Sequence, residues 1–442
     1  MKNHILINKK IASFNKKIQV SGDKSLSIRL VLLASQAIGK SKIYNLLDSE
    51  DVNHAIKCIK RLGINVKNYK KYCEIFGKGL NGFEYKKNLT LNAGNSGTLA
   101  RLILGLLTHS NKKIKIIGDK SLSKRDFGRI IEPLKKFGAN FYTNKKKTLP
   151  LIISGTNFTR PINYVEKRGS AQCKSSVMLA ALNTKGKTTI KAKKSRNHTE
   201  LLFKELGIPT KIKKYKNYDF IEINGGKRFE SINYSIPSDI SSSSFFIALT
   251  LLSKNSSLKI KNVNINPSRS GVISILNLMG AKIKVINKKK YKGELTADII
   301  IKSAKKLKGI VCPTKYNANA IDEFLIIFLI ASKSKGVSYF KNLSELNKKE
   351  SKRLNIASKI LTFMGVKNQL KNNSIKIFGD PNLELNSNFL IKNFMKDHRI
   401  FMMCTIAALT LGGNWKIKDK SSINSSFPKF LSILKNIGAK IN

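Results

Sequence analysis

Cysteine is scarce here and never paired. Cys58, Cys73, Cys173, Cys312 and Cys404 are an odd number of scattered residues with no C-x-x-C pair. That excludes a disulfide framework and a cysteine zinc site, and it fits a reducing compartment. His4, His54, His109, His198 and His398 have no ligand spacing, so no metal is expected. The longest apolar runs, such as FLIIFLIA, fall far short of a bilayer span. The N-terminus MKNHILINKK lacks the apolar core of a signal peptide. A cytoplasmic protein without a membrane partner is expected.

Acidic residues and arginine are the other shortages. Asp and Glu total 26 against 83 Lys and Arg, for a formal charge of +57. Such a balance suits either a polyanionic partner or a coding bias toward lysine. The lysines are spread over the whole chain, and no basic motif interleaved with aromatics occurs. The bias reading is therefore preferred, and no specific nucleic acid is expected. Only twelve basic residues are arginine. Arginine presents a rigid fork to carboxylate or phosphate, which lysine cannot. Its retention in a lysine-rich chain marks positions where geometry matters.

What is present is a repeat. Amphipathic stretches run into a glycine and then a strand-like segment six times: IKRLGINV, LKKFGANF, FKELGIPT, LNLMGAKI, LTFMGVKN and LKNIGAKI. The glycines are Gly63, Gly138, Gly207, Gly280, Gly365 and Gly438, placed to close a helix in a left-handed conformation. Upstream of each lies a second helix, apolar nearly all round and so predicted to be buried. These helices are expected to start at Ser25, Ser96, Ser170, Ser241, Asp322 and Asp397. With the intervening strand-like segments, each unit reads β-α-β-α-β-β, an α/β (α+β) architecture of six repeats.

Six units divide into two domains of three. The last unit is short, so the N-terminal segment is inferred to complete it. One domain is then 1–21 with 237–442, and the other is 22–236. If the buried helices aim their N-termini inward, the cleft between the domains traps small, multiply charged anions.

Seven polar segments at helix starts carry the chemistry. SGDKSLSIR holds Lys24, Ser25 and Arg29, with the arginine one turn beyond the serine. NAGNSGTLAR sets Gly97 where backbone N–H groups can approach an anion. SLSKRDFGR offers Arg125 and Arg129 one turn apart. GSAQCKSS supplies Ser170, Gln172 and Lys174, and SRNHTE supplies Arg196, with His198 read as structural. In IDEFLI, Asp322 and Glu323 precede an apolar helix; capping needs one carboxylate, so Asp322 is the candidate general base. NKKESKRL combines Lys349, Glu350 and Arg353, which a solvated helix end would also explain. DHRIFMM puts Arg399 in the first turn of a buried helix, against the helix dipole, a conflict that an anionic ligand would relieve.

Taken together, GDKSLSIR, GNSGT, SLSKR, SAQ, KESKRL and DHRIFM resemble the EPSP synthase family over essentially the whole chain. The resemblance implies a two-domain enolpyruvyl transferase fold with the active site in the interdomain cleft. The implied reaction joins phosphoenolpyruvate to shikimate 3-phosphate and releases phosphate, without metal, cofactor or covalent enzyme intermediate. Carried over by motif, Lys24, Ser25, Arg29, Ser170, Gln172, Arg196, Asp322 and Lys349 hold shikimate 3-phosphate. Lys24, Gly97, Arg125, Gln172, Arg353 and Arg399 hold phosphoenolpyruvate. Asp322 takes the 5-hydroxyl proton, while Glu350 and Lys24 serve methylene protonation and phosphate departure. In the family, a class insensitive to glyphosate carries alanine at the position matching Gly97. A monomer acting on small anions is expected.

Three departures from the family pattern stand out: Asp126 replaces a proline that commonly follows the arginine at position 125, Asn197 replaces an aspartate, and Ser425 stands where some members have lysine. The alternatives are a UDP-N-acetylglucosamine enolpyruvyl transferase and a basic nucleic-acid-binding protein on the same scaffold. The first resembles GAKN rather than GDKS and uses a loop cysteine, whereas no cysteine lies between Cys73 and Cys173 here.

Overall fold

The computed structural model describes residues 3–442. Its α-helices are α1 (Lys24–Ala34), α2 (Glu50–Arg61), α3 (Gly97–Leu106), α4 (Gly128–Lys136), α5 (Ala171–Asn183), α6 (His198–Glu205), α7 (Ile240–Leu252), α8 (Gly271–Leu278), α9 (Phe324–Ser332), α10 (Arg353–Phe363), α11 (His398–Leu411) and α12 (Phe430–Ile437). Odd-numbered helices are the buried ones: every residue of α7, α9 and α11 is buried. Each large side chain removed from water there stabilises the fold by roughly 1.5–3 kcal/mol. Even-numbered helices bury one stripe, as α2 does with Val52, Ala55, Ile56 and Ile59.

All six repeat glycines have positive φ, from 66° at Gly207 to 121° at Gly438. An L-residue with a side chain is disfavoured there, so glycine ends each outer helix. The starts of the buried helices agree less evenly. Ser96, Ser170 and Asp397 cap α3, α5 and α11 with their side chains. For α1 and α7 the cap lies two residues upstream of the expected serine, at Asp23 and Asp239. Both carboxylates accept from N–H groups of the first turn, and Asp is as good a cap as Ser. Asp322 does not occupy the cap position of α9, which begins after Glu323 and leaves Asp322 in the preceding turn.

The strands form small sheets of three or four members. The second repeat shows the pattern in full: Leu89–Asn92, α3, Ile114–Ile117, α4, Asn140–Tyr142, Leu151–Ser154. The strands flanking α3 pair in parallel, and the last three are antiparallel neighbours. A glycine at the end of the central hairpin strand packs against carbonyls at and just past the end of the buried helix. Gly77 meets Ala34 and Ala37, Gly225 meets Ala181 and Thr184, and Gly379 meets Ala331 and Ser334. A Cβ at any of these would collide with backbone, so sheet and helix can approach closely only at glycine.

Two compact units result. One comprises the N-terminal segment up to Ser21, Pro237–Lys290 and Leu295–Asn442; the other comprises Gly22–Ile236 with Tyr291–Glu294. Each has its own apolar core. In the first, His4–Ile7 pairs with Gly412–Lys418, and Asn15–Ile18 pairs in parallel with Ser257–Asn264. In the second, Asn233–Ser235 pairs in parallel with Ile38–Tyr44. Sequence-distant strands thus complete sheets in both units.

Among the described residues, no helix is long and apolar enough to cross a membrane. All five cysteines are buried and unpaired in disulfides. Burial pushes the Cys58 thiol up to about 12 and raises Cys404 still further, so neither is a ready nucleophile.

Candidate active site

In the first unit, four of the expected residues gather around the Asp322 carboxylate, three directly and Glu350 through Arg353. Asp322 Oδ1 lies 3.3 Å from both Lys349 Nζ and Arg353 Nη1, and its Oδ2 lies 4.0 Å from Arg399 Nη2. Arg353 Nη2 also donates to Glu350. A solvated helix end does not describe this segment, because the Arg353 side chain is 1% exposed. Burial opposes its charge, but Asp397, Glu350 and Asp322 outweigh that and hold the guanidinium firmly protonated.

Asp397 does more than cap α11. Its carboxylate accepts from Arg399 N at 3.0 Å, from Ser351 Oγ at 2.8 Å, and from Arg353. The Arg399 side chain turns back from the helix end. Its Nη1 donates to the Asp322 carbonyl oxygen at 2.7 Å and lies 3.9 Å from Glu323 Oε1. The dipole conflict at this arginine is therefore met by oxygens of the turn before α9, and no ligand is needed to relieve it. Glu323 itself is buried and accepts from Ser241 Oγ. Behind it, Arg269 Nη2 bonds Asp239 at 2.8 Å and Ser241 at 3.1 Å.

The second unit assembles a different set. Lys24 Nζ pairs with Asp51 at 2.9 Å. Arg29 donates to Ser25 O, Ser175 Oγ and Thr199 Oγ1 at 2.9–3.0 Å. Gly97 opens α3, where its carbonyl accepts from Arg101 Nη1 at 3.2 Å. The same nitrogen reaches Gln172 Oε1 at 3.2 Å, and Gln172 Nε2 donates to Thr98 Oγ1 at 3.0 Å. Arg125 Nη2 donates to Asn95 Oδ1 at 3.3 Å. A Cβ built on Gly97 would lie 2.8 Å from Nη1 of both Arg101 and Arg125. Gly97, Gln172 and two arginines therefore share one small space. Arg101, not named as a site residue from sequence, joins them; its signal was an arginine one turn into a buried helix.

Asp126 does not point its charge at this space. Its Oδ1 accepts from Gly128 N at 2.7 Å and so supports the start of α4. Ser170 is engaged as the cap of α5, and Arg196 lies half-buried in the loop before α6. His198 is buried and pairs through Nδ1 with Glu294 at 2.6 Å, as a structural histidine does. Ser425 Oγ approaches His398 Nδ1 at 3.4 Å.

A protein-family model described as EPSP synthase (3-phosphoshikimate 1-carboxyvinyltransferase) matches residues 8–434. The 3-phosphoshikimate 1-carboxyvinyltransferase of Ruthia magnifica is 39% identical over 431 residues, covering 96% of each chain. A solved EPSP synthase from Acinetobacter baumannii superposes with a TM-score of 0.87 at 32% identity, covering 99% of both chains. The enolpyruvyl transferase NikO from Streptomyces tendae shares the fold, with a TM-score of 0.73 at 14% identity, over 100% of this chain and 99% of its own.

Proposed function

The chain belongs to the EPSP synthase family, and from that premise we propose how its residues divide the work. The reaction transfers the enolpyruvyl group of phosphoenolpyruvate to the 5-hydroxyl of shikimate 3-phosphate and releases phosphate. The observation that supports the division of roles is the Asp322–Arg353–Glu350 cluster, with Asp322 and Glu350 bridged by one buried guanidinium.

Addition requires a base at the attacking hydroxyl and an acid at the methylene carbon. Asp322 takes the 5-hydroxyl proton as the oxygen attacks C2 of phosphoenolpyruvate. Lys349 and Arg353 stabilise its carboxylate form, the one that accepts a proton. Glu350, once protonated, delivers a proton to C3; its carboxylate then takes a proton back from the C3 methyl as phosphate leaves C2 with the help of Lys24, which restores the double bond. Arg353 and Arg399, with Arg125, Gln172, Lys24 and the α3 N-terminus at Gly97, hold phosphoenolpyruvate. Lys24, Ser25, Arg29, Ser170, Gln172, Arg196, Asp322 and Lys349 hold shikimate 3-phosphate. Arginine forks match the carboxylates and phosphates of both substrates. The proposed partners are these two anions alone, taken by a cytoplasmic monomer without specific nucleic acid or membrane.

A coupled phosphate-release assay tests the reading. Phosphate should appear only when both substrates are present. Release from phosphoenolpyruvate alone, or none with both, would overturn it.

A further inference from the structure

The first three residues of α6 each bond a buried partner. His198 Nδ1 meets Glu294 Oε1 at 2.6 Å, Thr199 Oγ1 meets Ser175 Oγ at 2.7 Å, and Glu200 meets Lys174 Nζ at 2.5 Å. Thr199 is 1% exposed and Glu200 is 2% exposed. Two consecutive pairs therefore clamp α6 to α5. The Lys174–Glu200 pair suffices for an electrostatic tie between these helices. The hydroxyl pair beside it serves something else, because a third helix plugs into it.

That third element is Arg29 of α1. Its Nε donates to Thr199 Oγ1 at 2.9 Å, and its Nη2 donates to Ser175 Oγ at 3.0 Å. Nη1 returns one turn along α1 to the Ser25 carbonyl at 3.0 Å. One edge of the guanidinium is thus set by two hydroxyls that also bond each other. Arg353 is held differently, on the carboxylates of Asp397, Glu350 and Asp322. A carboxylate aims a guanidinium and offsets part of its charge; a hydroxyl aims it without adding a negative charge of its own.

Resting on the reading of Arg29 as a shikimate 3-phosphate ligand, we infer that Thr199, with Ser175, is the positioning residue that aims Arg29. Thr199 touches no substrate in this account; it acts through the arginine. The α5–α6 clamp fixes the hydroxyl pair, and α1 brings Arg29 to it, so three helices from two repeats meet at one guanidinium.

Thr199→Val keeps shape and removes the acceptor. The KM for shikimate 3-phosphate should rise about tenfold, the usual effect of losing a hydrogen bond to a charged group. The KM for phosphoenolpyruvate and kcat should stay within about threefold, because Arg29 is assigned to one substrate only. Thr199→Ser, which restores the hydroxyl, should recover most of the affinity. A merely structural threonine would lower the melting temperature without favouring one substrate. Ser175→Ala reads the other half of the pair and should show the same selective rise even if Thr199→Val does not fold. An unchanged KM for shikimate 3-phosphate in these variants, an equal rise for both substrates, or failure of Thr199→Ser to recover overturns the inference. Arg29→Met separates this from the underlying reading: if it leaves that KM unchanged, Arg29 is not a ligand at all.

Discussion

Arg353 and Asp397 are joined by two parallel hydrogen bonds, Nε to Oδ2 at 2.9 Å and Nη2 to Oδ1 at 3.2 Å. Both side chains are buried. Burial alone would raise the Asp397 carboxyl, but the Arg353 guanidinium reverses this and holds it below the usual carboxylate range. Asp397→Asn keeps the cap of α11 and removes the charge. Stability should fall by about 3 kcal/mol, the cost of leaving a buried cation under-compensated. Urea denaturation at pH 7 measures it, and a loss below about 1 kcal/mol would contradict the assignment. The sign of the pH effect follows. A depressed folded value means the pair stabilises fully above about pH 4 and loses that contribution as pH falls through the lower folded value. The acid limb of stability should therefore be steeper in the native protein than in Asp397→Asn.

Glu350→Gln isolates the proposed acid. Glutamine can still accept from Arg353 Nη2, so the cluster should stay in place. Turnover should drop about 10²–10⁴-fold with little change in either KM. Steady-state kinetics with both substrates decide it, and near-native turnover would remove Glu350 from the mechanism.

A second pH effect lies away from the site. Burial lowers His109 to about 4 from an ordinary 6.5. Its Nε2 lies 2.8 Å from Thr159 Oγ1. The unfolded chain binds a proton here before the folded chain does, so stability rises with pH and is lost as pH falls from about 6.5 toward 4. The loss should approach 3 kcal/mol at the acid end. His109→Gln should flatten the stability curve between pH 6.5 and 4.5, measured by urea midpoints. Parallel curves for both proteins would exclude His109 as the cause.

Much of the fold could be read from residues because the rules involved are local. The six glycines fall at left-handed positions since few L-residues tolerate them. The exact caps of α1 and α7 were harder, as Asp and Ser two residues apart are equally competent. Charges at the starts of apolar helices singled out Asp322 and Arg399, because such charges need a reason; Lys349, Glu350 and Arg353 stand before the outer helix α10 and gained weight only together with the other segments. Asp397 was legible only as a cap; its grip on Arg353 spans 44 residues of sequence. Thr199 left no trace at all. A neutral hydroxyl on a buried helix face is ordinary, and its partner Arg29 lies 170 residues away.

The Gly97 position gives the most discriminating prediction. Its φ is not left-handed, and it opens α3, so alanine suits the backbone and the variant should fold. The added Cβ would lie 2.8 Å from the guanidinium tips of Arg101 and Arg125. Those tips end flexible side chains and can retreat, so the cost falls on the anion space rather than on stability. Family resemblance places glyphosate in the phosphoenolpyruvate site and alanine here in an insensitive class. Glyphosate is longer than the planar substrate and should lose more from the narrowed space. The native enzyme should therefore be inhibited, because Asp126, the local departure from the family, spends its carboxylate on Gly128 N and not on the guanidinium of Arg125. Gly97→Ala should raise the inhibition constant by more than it raises the KM for phosphoenolpyruvate. Inhibition measured for both proteins against varied phosphoenolpyruvate separates the cases. Equal inhibition constants would show that Gly97 does not control access, and resistance in both would show that Asp126 reshapes the site after all.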